Sequence, residues 1–90
     1  MTVYSISYDL NTPGQKYTDL YDELKLSPDW WHFLDSTWLV ATSETAEQLA
    51  ARLLRHLDKN DRILIIKVTK PYQGWLSDDA WEWINRNVTA

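Results

Sequence analysis

The stretch RILIIKVTK, residues 62–70, limits the possible folds more than any other. Ile63, Leu64, Ile65 and Ile66 follow one another with no polar residue between them. On an extended chain, where successive side chains point to opposite faces, such a run puts bulky apolar groups on both sides of a strand. One side can pack on the main core. The other needs a cover of its own, from another element of the chain or from a second subunit, because leaving Leu64 and Ile66 wet forgoes roughly 1.5–3 kcal/mol of burial each.

The elements around this strand follow from periodicity. Tyr4, Ile6 and Tyr8 alternate with Val3, Ser5, Ser7 and Asp9, a period of two that predicts a strand with one bulky apolar face and one small polar face. Thr12-Pro13-Gly14 then breaks the chain, with Thr12 as cap and Pro13 at the first helical position. Tyr17, Leu20, Tyr21 and Leu24 continue at helical spacing until LSPD, residues 26–29, where the residue before Pro28 is pushed out of the helical region.

DWWHFLDSTWLVATS is too rich in aromatic and β-branched residues for a loop, and its Asp35-Ser36 pair predicts a tight hairpin of roughly residues 30–34 and 37–42. ETAEQLAARLLRHLD carries Ala46, Leu49, Ala50, Leu53, Leu54 and Leu57 on one helical face behind a Thr45/Gln48 capping box. After Pro71 and Gly74, Ser77 caps a last helix with acids in its first turn and a face of Ala80, Trp81, Ile84 and Val88. That helix is a natural cover for the second side of residues 63–66.

Strand, helix, strand, strand, helix, strand is the order of an α+β ferredoxin-like βαββαβ sandwich, a four-stranded antiparallel sheet with two helices on one face, here with a C-terminal helix added. The first and third strands are then central, and the opposite sheet face is open for a partner. The 90 residues hold no repeat, low-complexity tract or linker, so residues 1–90 form a single ferredoxin-like domain.

Composition removes several function classes. The absence of cysteine excludes disulfides, thiolate metal sites and a cysteine nucleophile. The two glycines, Gly14 and Gly74, leave no phosphate loop or dinucleotide fingerprint, and no small-molecule cofactor is expected. A net charge of −4 opposes unspecific binding to phosphate backbones. No secretory leader or membrane span is expected, and the simplest location is cytoplasmic.

Six Trp and five Tyr are more than a core this small can absorb, so some should meet a partner. Trp30, Trp31, His32 and Trp38 of the hairpin are the candidate binding surface, where exposed rings could stack on bases or pack on protein. Packing inside is the usual fate of at least half of the tryptophans. Arg52, Arg55, Lys59 and Arg62 cluster near the second helix and read as a solvated face interleaved with Asp58 and Asp61. Asp9 ends the first strand and has two readings: a turn carboxylate that accepts the backbone N–H two residues on, or a ligand for Mg²⁺ or Mn²⁺. Ser7 shares its face and could line a site. His32 and His56 share no ligand spacing.

A family resemblance adds to this. YSISYDL with its breaker and helix, the hairpin around DSTWLVAT, and the leucine-rich helix followed by LDKNDRILIIKV resemble the small dimeric endonuclease-type protein of CRISPR spacer acquisition and its relative, the VapD toxin. SYDLNTPGQKY, DWWHFLDSTWLV and QGWL resemble short bacterial proteins labelled SinR-family. The resemblance implies a homodimer in which the acid ending the first strand, Asp9 here, is the catalytic metal ligand, paired with its copy across the dimer axis. The relatives place arginines just after that acid, where they could hold phosphate; this chain has Gln15 and Lys16. Two functions are therefore expected as alternatives. One is a homodimeric module binding protein or nucleic acid through its open sheet face and tryptophan-rich hairpin. The other is a Mg²⁺- or Mn²⁺-dependent endonuclease or ribonuclease built on an Asp9 pair.

Overall fold

The computed structural model describes residues 1–89. In chain order the elements are β1 (Thr2–Asp9), α1 (Thr18–Lys25), β2 (Asp29–Leu34), β3 (Thr37–Thr42), α2 (Ala46–Leu54), β4 (Arg62–Lys67) and α3 (Asp78–Asn87). The four strands form one antiparallel sheet in the order β2-β3-β1-β4. This is the expected ferredoxin-like α+β arrangement, with β1 and β3 central and α3 appended.

The period of two in β1 divides the interior. Tyr4, Ile6 and Tyr8 pack with Trp38 and Val40 of β3 against Leu20 and Leu24 of α1 and Leu49 and Leu53 of α2. Val3, on the other face of β1, packs with Trp31, Leu39 and Ala41 against Ala80, Trp83, Ile84 and Val88 of α3. The sheet is thus covered on both faces, but unequally. α3 lies over the β2–β3 side and the start of β1, so the second face is only partly open, and Leu64 and Ile66 of β4 remain 58% and 53% exposed.

Local chemistry explains the helix ends. Thr45 accepts the Gln48 N–H while the Gln48 side chain accepts the Thr45 N–H, completing the expected capping box. Ser77 accepts the Ala80 N–H at 3.3 Å. The start of α1 differs from expectation. Thr12 does not cap it, because Pro13 and Gly14 occupy the middle of a turn closed by Gln15 N–H to Thr12 O, with Gly14 at φ +78°. Such a turn, with Pro second and a positive φ third, suits glycine, and it delays the helix to Thr18. β4 also ends earlier than expected, at Lys67, and α2 stops at Leu54 in a turn.

On α3 the deeply packed tryptophan is Trp83, not Trp81. Trp83 faces the sheet and its indole N–H donates to Asp29 Oδ1 at 2.9 Å, while Trp81 is half-buried beside Tyr72. Trp83, three residues after Ala80, shares its helical face, whereas Trp81, the next residue, is turned about 100° away from it, and the acceptor on β2 meets the first.

Candidate functional site

Asp9 closes β1 opposite Arg62 of β4. Its side chain is exposed, and among the described residues its carboxylate accepts no hydrogen bond. The turn role expected of Asp9 belongs to another acid. The Asn11 N–H, two residues on, donates to Asp61 Oδ1 at 2.7 Å, the Tyr17 hydroxyl donates to the same oxygen at 2.6 Å and the Thr12 hydroxyl at 3.2 Å, and the Asp58 N–H donates to Oδ2 at 2.9 Å. Asp61 is only 7% exposed and fastens the β1–α1 connection to the start of β4. Burial alone would raise its carboxyl, but these hydrogen bonds prevail and hold it at about 2.

Two shallow clefts meet at Asp9. One, of about 280 Å³, is lined by Ser7, Asp9, Arg62 and Leu64 on the exposed part of the second face. The other, of about 350 Å³, is lined by Tyr8, Asp9, Tyr21 and Asp35 at the end of the sheet. Ser7 Oγ lies 3.3 Å from Thr37 Oγ1, so its hydroxyl already has a partner. The Tyr8 hydroxyl accepts from the Trp38 indole N–H at 3.1 Å and donates to the Asp35 carbonyl at 3.3 Å, and burial raises it above its ordinary value, so it is a neutral structural group. Lys16 is exposed in the β1–α1 connection.

Among the described residues no three His, Asp or Glu side chains are grouped to hold a metal ion. Asp9 is thus an uncommitted carboxylate, a hard oxygen ligand of the kind Mg²⁺ and Mn²⁺ accept together with water, and Asp35 lines one of its two clefts.

The hairpin residues separate by face. His32 stacks on Trp38 with ring centroids 4.0 Å apart, and its Nε2 lies 3.2 Å from the Asp35 carbonyl oxygen. Trp30 meets the same Trp38 ring at 5.3 Å, and Lys25 Nζ sits 5.8 Å from the centre of the Trp30 ring. Trp38 itself is fully buried, so its surface is used by these neighbours and by the core. Trp31 points to the other face, is buried against α3, and among the described residues its indole N–H has no hydrogen-bond partner. The expected candidates thus fall into two groups, Ser7 and Asp9 on the β1–β4 side and Trp30, His32 and Trp38 on the β2–β3 side. Of the six tryptophans only Trp30 and Trp75 are exposed.

Of the basic cluster expected to be a solvated face, Arg55, Lys59 and Arg62 are exposed, but Arg52 is half-buried and, with Arg55, belongs to a network between α1 and α2. Glu23, 6% exposed, accepts from Arg52 at 3.2 Å, from Arg55 and from His56 Nε2, and Arg52 also bonds Glu44 and the Ser27 hydroxyl. Arg55 and His56 lower the Glu23 carboxyl to about 2 against the opposing effect of burial. The reason lies in placement: Arg52 lies about one turn after the buried Leu49 and directly precedes the buried Leu53, so its head reaches the neighbouring helix.

One feature of the site was missed in the sequence. Asp79, Glu82 and Arg86 of α3 face the outer edge of β2 and, with Trp30, Trp31 and Phe33, enclose a groove of about 440 Å³. Their spacing of three and four residues shows a shared helical face, but nothing in the spacing says that the face meets β2. Among the described residues no helix is long and apolar enough to cross a membrane. Compared with protein-family models, curated proteins and solved structures, the chain matches none.

Proposed function

We propose that this chain is an interaction module that works as a homodimer, joined through the part of the second sheet face that α3 leaves uncovered, and that it presents the aromatic β2–β3 hairpin to a macromolecular partner. The observation that carries the reading is the exposure of Leu64 and Ile66 on β4, beside the small side chains Ser5 and Ser7 with which they are paired across the sheet. Small residues next to large apolar ones make a surface another backbone can approach closely. An apolar groove of about 220 Å³, lined by Ser5, Leu34, Leu39, Tyr72 and Trp81, continues the same surface, and Trp75, in the connection between β4 and α3 that supplies part of this lining, stands fully exposed. A strand at the sheet edge with wet apolar residues is a template for association, and a second copy about a twofold axis satisfies both chains at once.

Light scattering at micromolar concentration should return twice the 10.6 kDa chain mass. Leu64→Lys with Ile66→Lys should return the monomer with an unchanged far-ultraviolet spectrum. A wild-type monomer overturns the reading.

A second reading, a Mg²⁺- or Mn²⁺-dependent nuclease with Asp9 paired across the dimer axis, is favoured by one observation: the Asp9 carboxylate is exposed and uncommitted. Against it stands Lys16 as the one basic residue soon after Asp9 for holding phosphate. Incubation with single- and double-stranded RNA and DNA in millimolar Mg²⁺ or Mn²⁺ decides between them. The module reading expects no metal-dependent cleavage; cleavage that disappears in Asp9→Ala makes Asp9 a catalytic ligand.

A further inference from the structure

The groove between β2 and α3 has walls of a different character from the β4 side. We infer that it receives cationic side chains, arginine or lysine, from a partner polypeptide. This rests on the reading of the chain as an interaction module and names the chemistry of its partner.

Three observations carry the inference. The first is charge. Asp79 and Glu82 line the groove from α3, are exposed, and among the described residues have no ion-pair partner, whereas Arg86 on the same wall lies 3.8 Å from Asp29 Oδ2 and is offset by it. The groove lining therefore carries two carboxylates against a single arginine, Arg86, which is shared with Asp29.

The second is the opposite wall. Phe33 is 59% exposed and packs on Trp31 with ring centroids 5.2 Å apart, so an aromatic surface lines the same groove as the two carboxylates. A cation between an aromatic face and a carboxylate gains from both, and the planar guanidinium of arginine can stack on the ring while donating to the acid. On the other side of β2, Lys25 Nζ already sits 5.8 Å from the centre of the Trp30 ring, a contact of the same kind within the chain.

The third concerns how a partner is held. An edge strand usually offers its backbone to an added strand. Here the Trp30 N–H is taken by Asp29 Oδ1 at 2.9 Å, and the β2–β3 register shifts between Trp31 and Leu34, so the backbone of β2 is a poor template. Recognition at this edge falls to side chains. A phosphate-bearing partner is disfavoured, since Asp79 and Glu82 would repel it in a chain that already carries a net charge of −4.

The test is an NMR titration of the full chain, following the tryptophan indole N–H signals, with a capped pentapeptide containing two arginines and with its counterpart in which citrulline replaces arginine. The arginine peptide should shift the Trp30, Trp31 and Trp83 signals saturably, and its citrulline counterpart should not. Asp79→Asn with Glu82→Gln, both on the solvent side of α3, should weaken binding by about tenfold, as expected from the loss of two exposed ion pairs, and added salt should weaken it further. Phe33→Ala should weaken it independently of salt. Equal shifts with citrulline, unchanged binding in the charge variant, or no shifts at all overturn the inference. A single-stranded RNA that shifts the same signals, and does so more strongly in the charge variant, overturns it in favour of nucleic acid. Light scattering of the same sample separates the two readings: a dimer without peptide shifts sinks the groove and leaves the module, whereas a monomer with shifts sinks the dimer and leaves the groove.

Discussion

The two edges of the sheet are treated in opposite ways. At β2 the outward Trp30 N–H is occupied by Asp29, the ladder is irregular past Trp31, and α3 is tied down by Trp83 and Asn87, which both donate to Asp29. At β4 nothing comparable is present among the described residues: the strand is flanked by Arg62 and Lys67, and its second face shows Leu64 and Ile66 to solvent. A single aspartate at the start of β2 both guards the backbone and anchors the covering helix. The chain thus protects one edge with its own side chains and leaves apolar residues exposed beside the other.

The strongest way to break this contrast is to remove the anchor. Trp83→Ala deletes a buried side chain and the hydrogen bond to Asp29, a change that typically costs about 3–5 kcal/mol, a large share of the stability of a small domain. Urea denaturation should show a much lower midpoint than wild type. Trp81→Ala, on a half-buried ring, should lower it less; equal losses would mean that α3 is held by its general apolar face and not by the β2 contact.

Acid sharpens the contrast from the other side. Asp61 directly precedes β4, and its carboxyl is held at about 2, below its ordinary 3.8, while Glu23 between α1 and α2 is held at about 2, below 4.5. A folded-state value below the unfolded one means that the stabilisation is fully present above the unfolded value and is lost as pH falls through the folded one. The urea midpoint should accordingly decline between about pH 4.5 and 2. Asp61→Asn should start from a lower midpoint at neutral pH and decline less steeply. A midpoint independent of pH across that window would show that neither network contributes to folding.

Much of this was legible beforehand, for reasons that differ by element. β1 and α2 carried their periods openly, because each has one face in the core and one outside it, and the Thr45 capping box is a local interaction between neighbours. The hairpin at Asp35-Ser36 was likewise local. Asp9 and Asp61 were legible as acids near turns but not in their roles, since Asp61 accepts from residues about 50 positions earlier. The same limit applied to Arg52, whose partners on α1 and just past its end lie 25 to 29 residues away.

What the sequence determined alone is therefore the set of elements and their order, from period, caps and breakers that act over a few residues. What only the tertiary structure decided is which exposed-looking groups are engaged and which are left free. Helix α3 could have covered β4, as its apolar face and the run Ile63–Ile66 suggested, yet it settled over β2 and β3, where Asp29 offers an acceptor to the Trp83 indole. That choice left Leu64 and Ile66 wet and set Asp79 and Glu82 in one groove with Phe33. A directional hydrogen bond favours one docking site among apolar surfaces that burial alone would treat alike, and its partners were 54 residues apart in the chain.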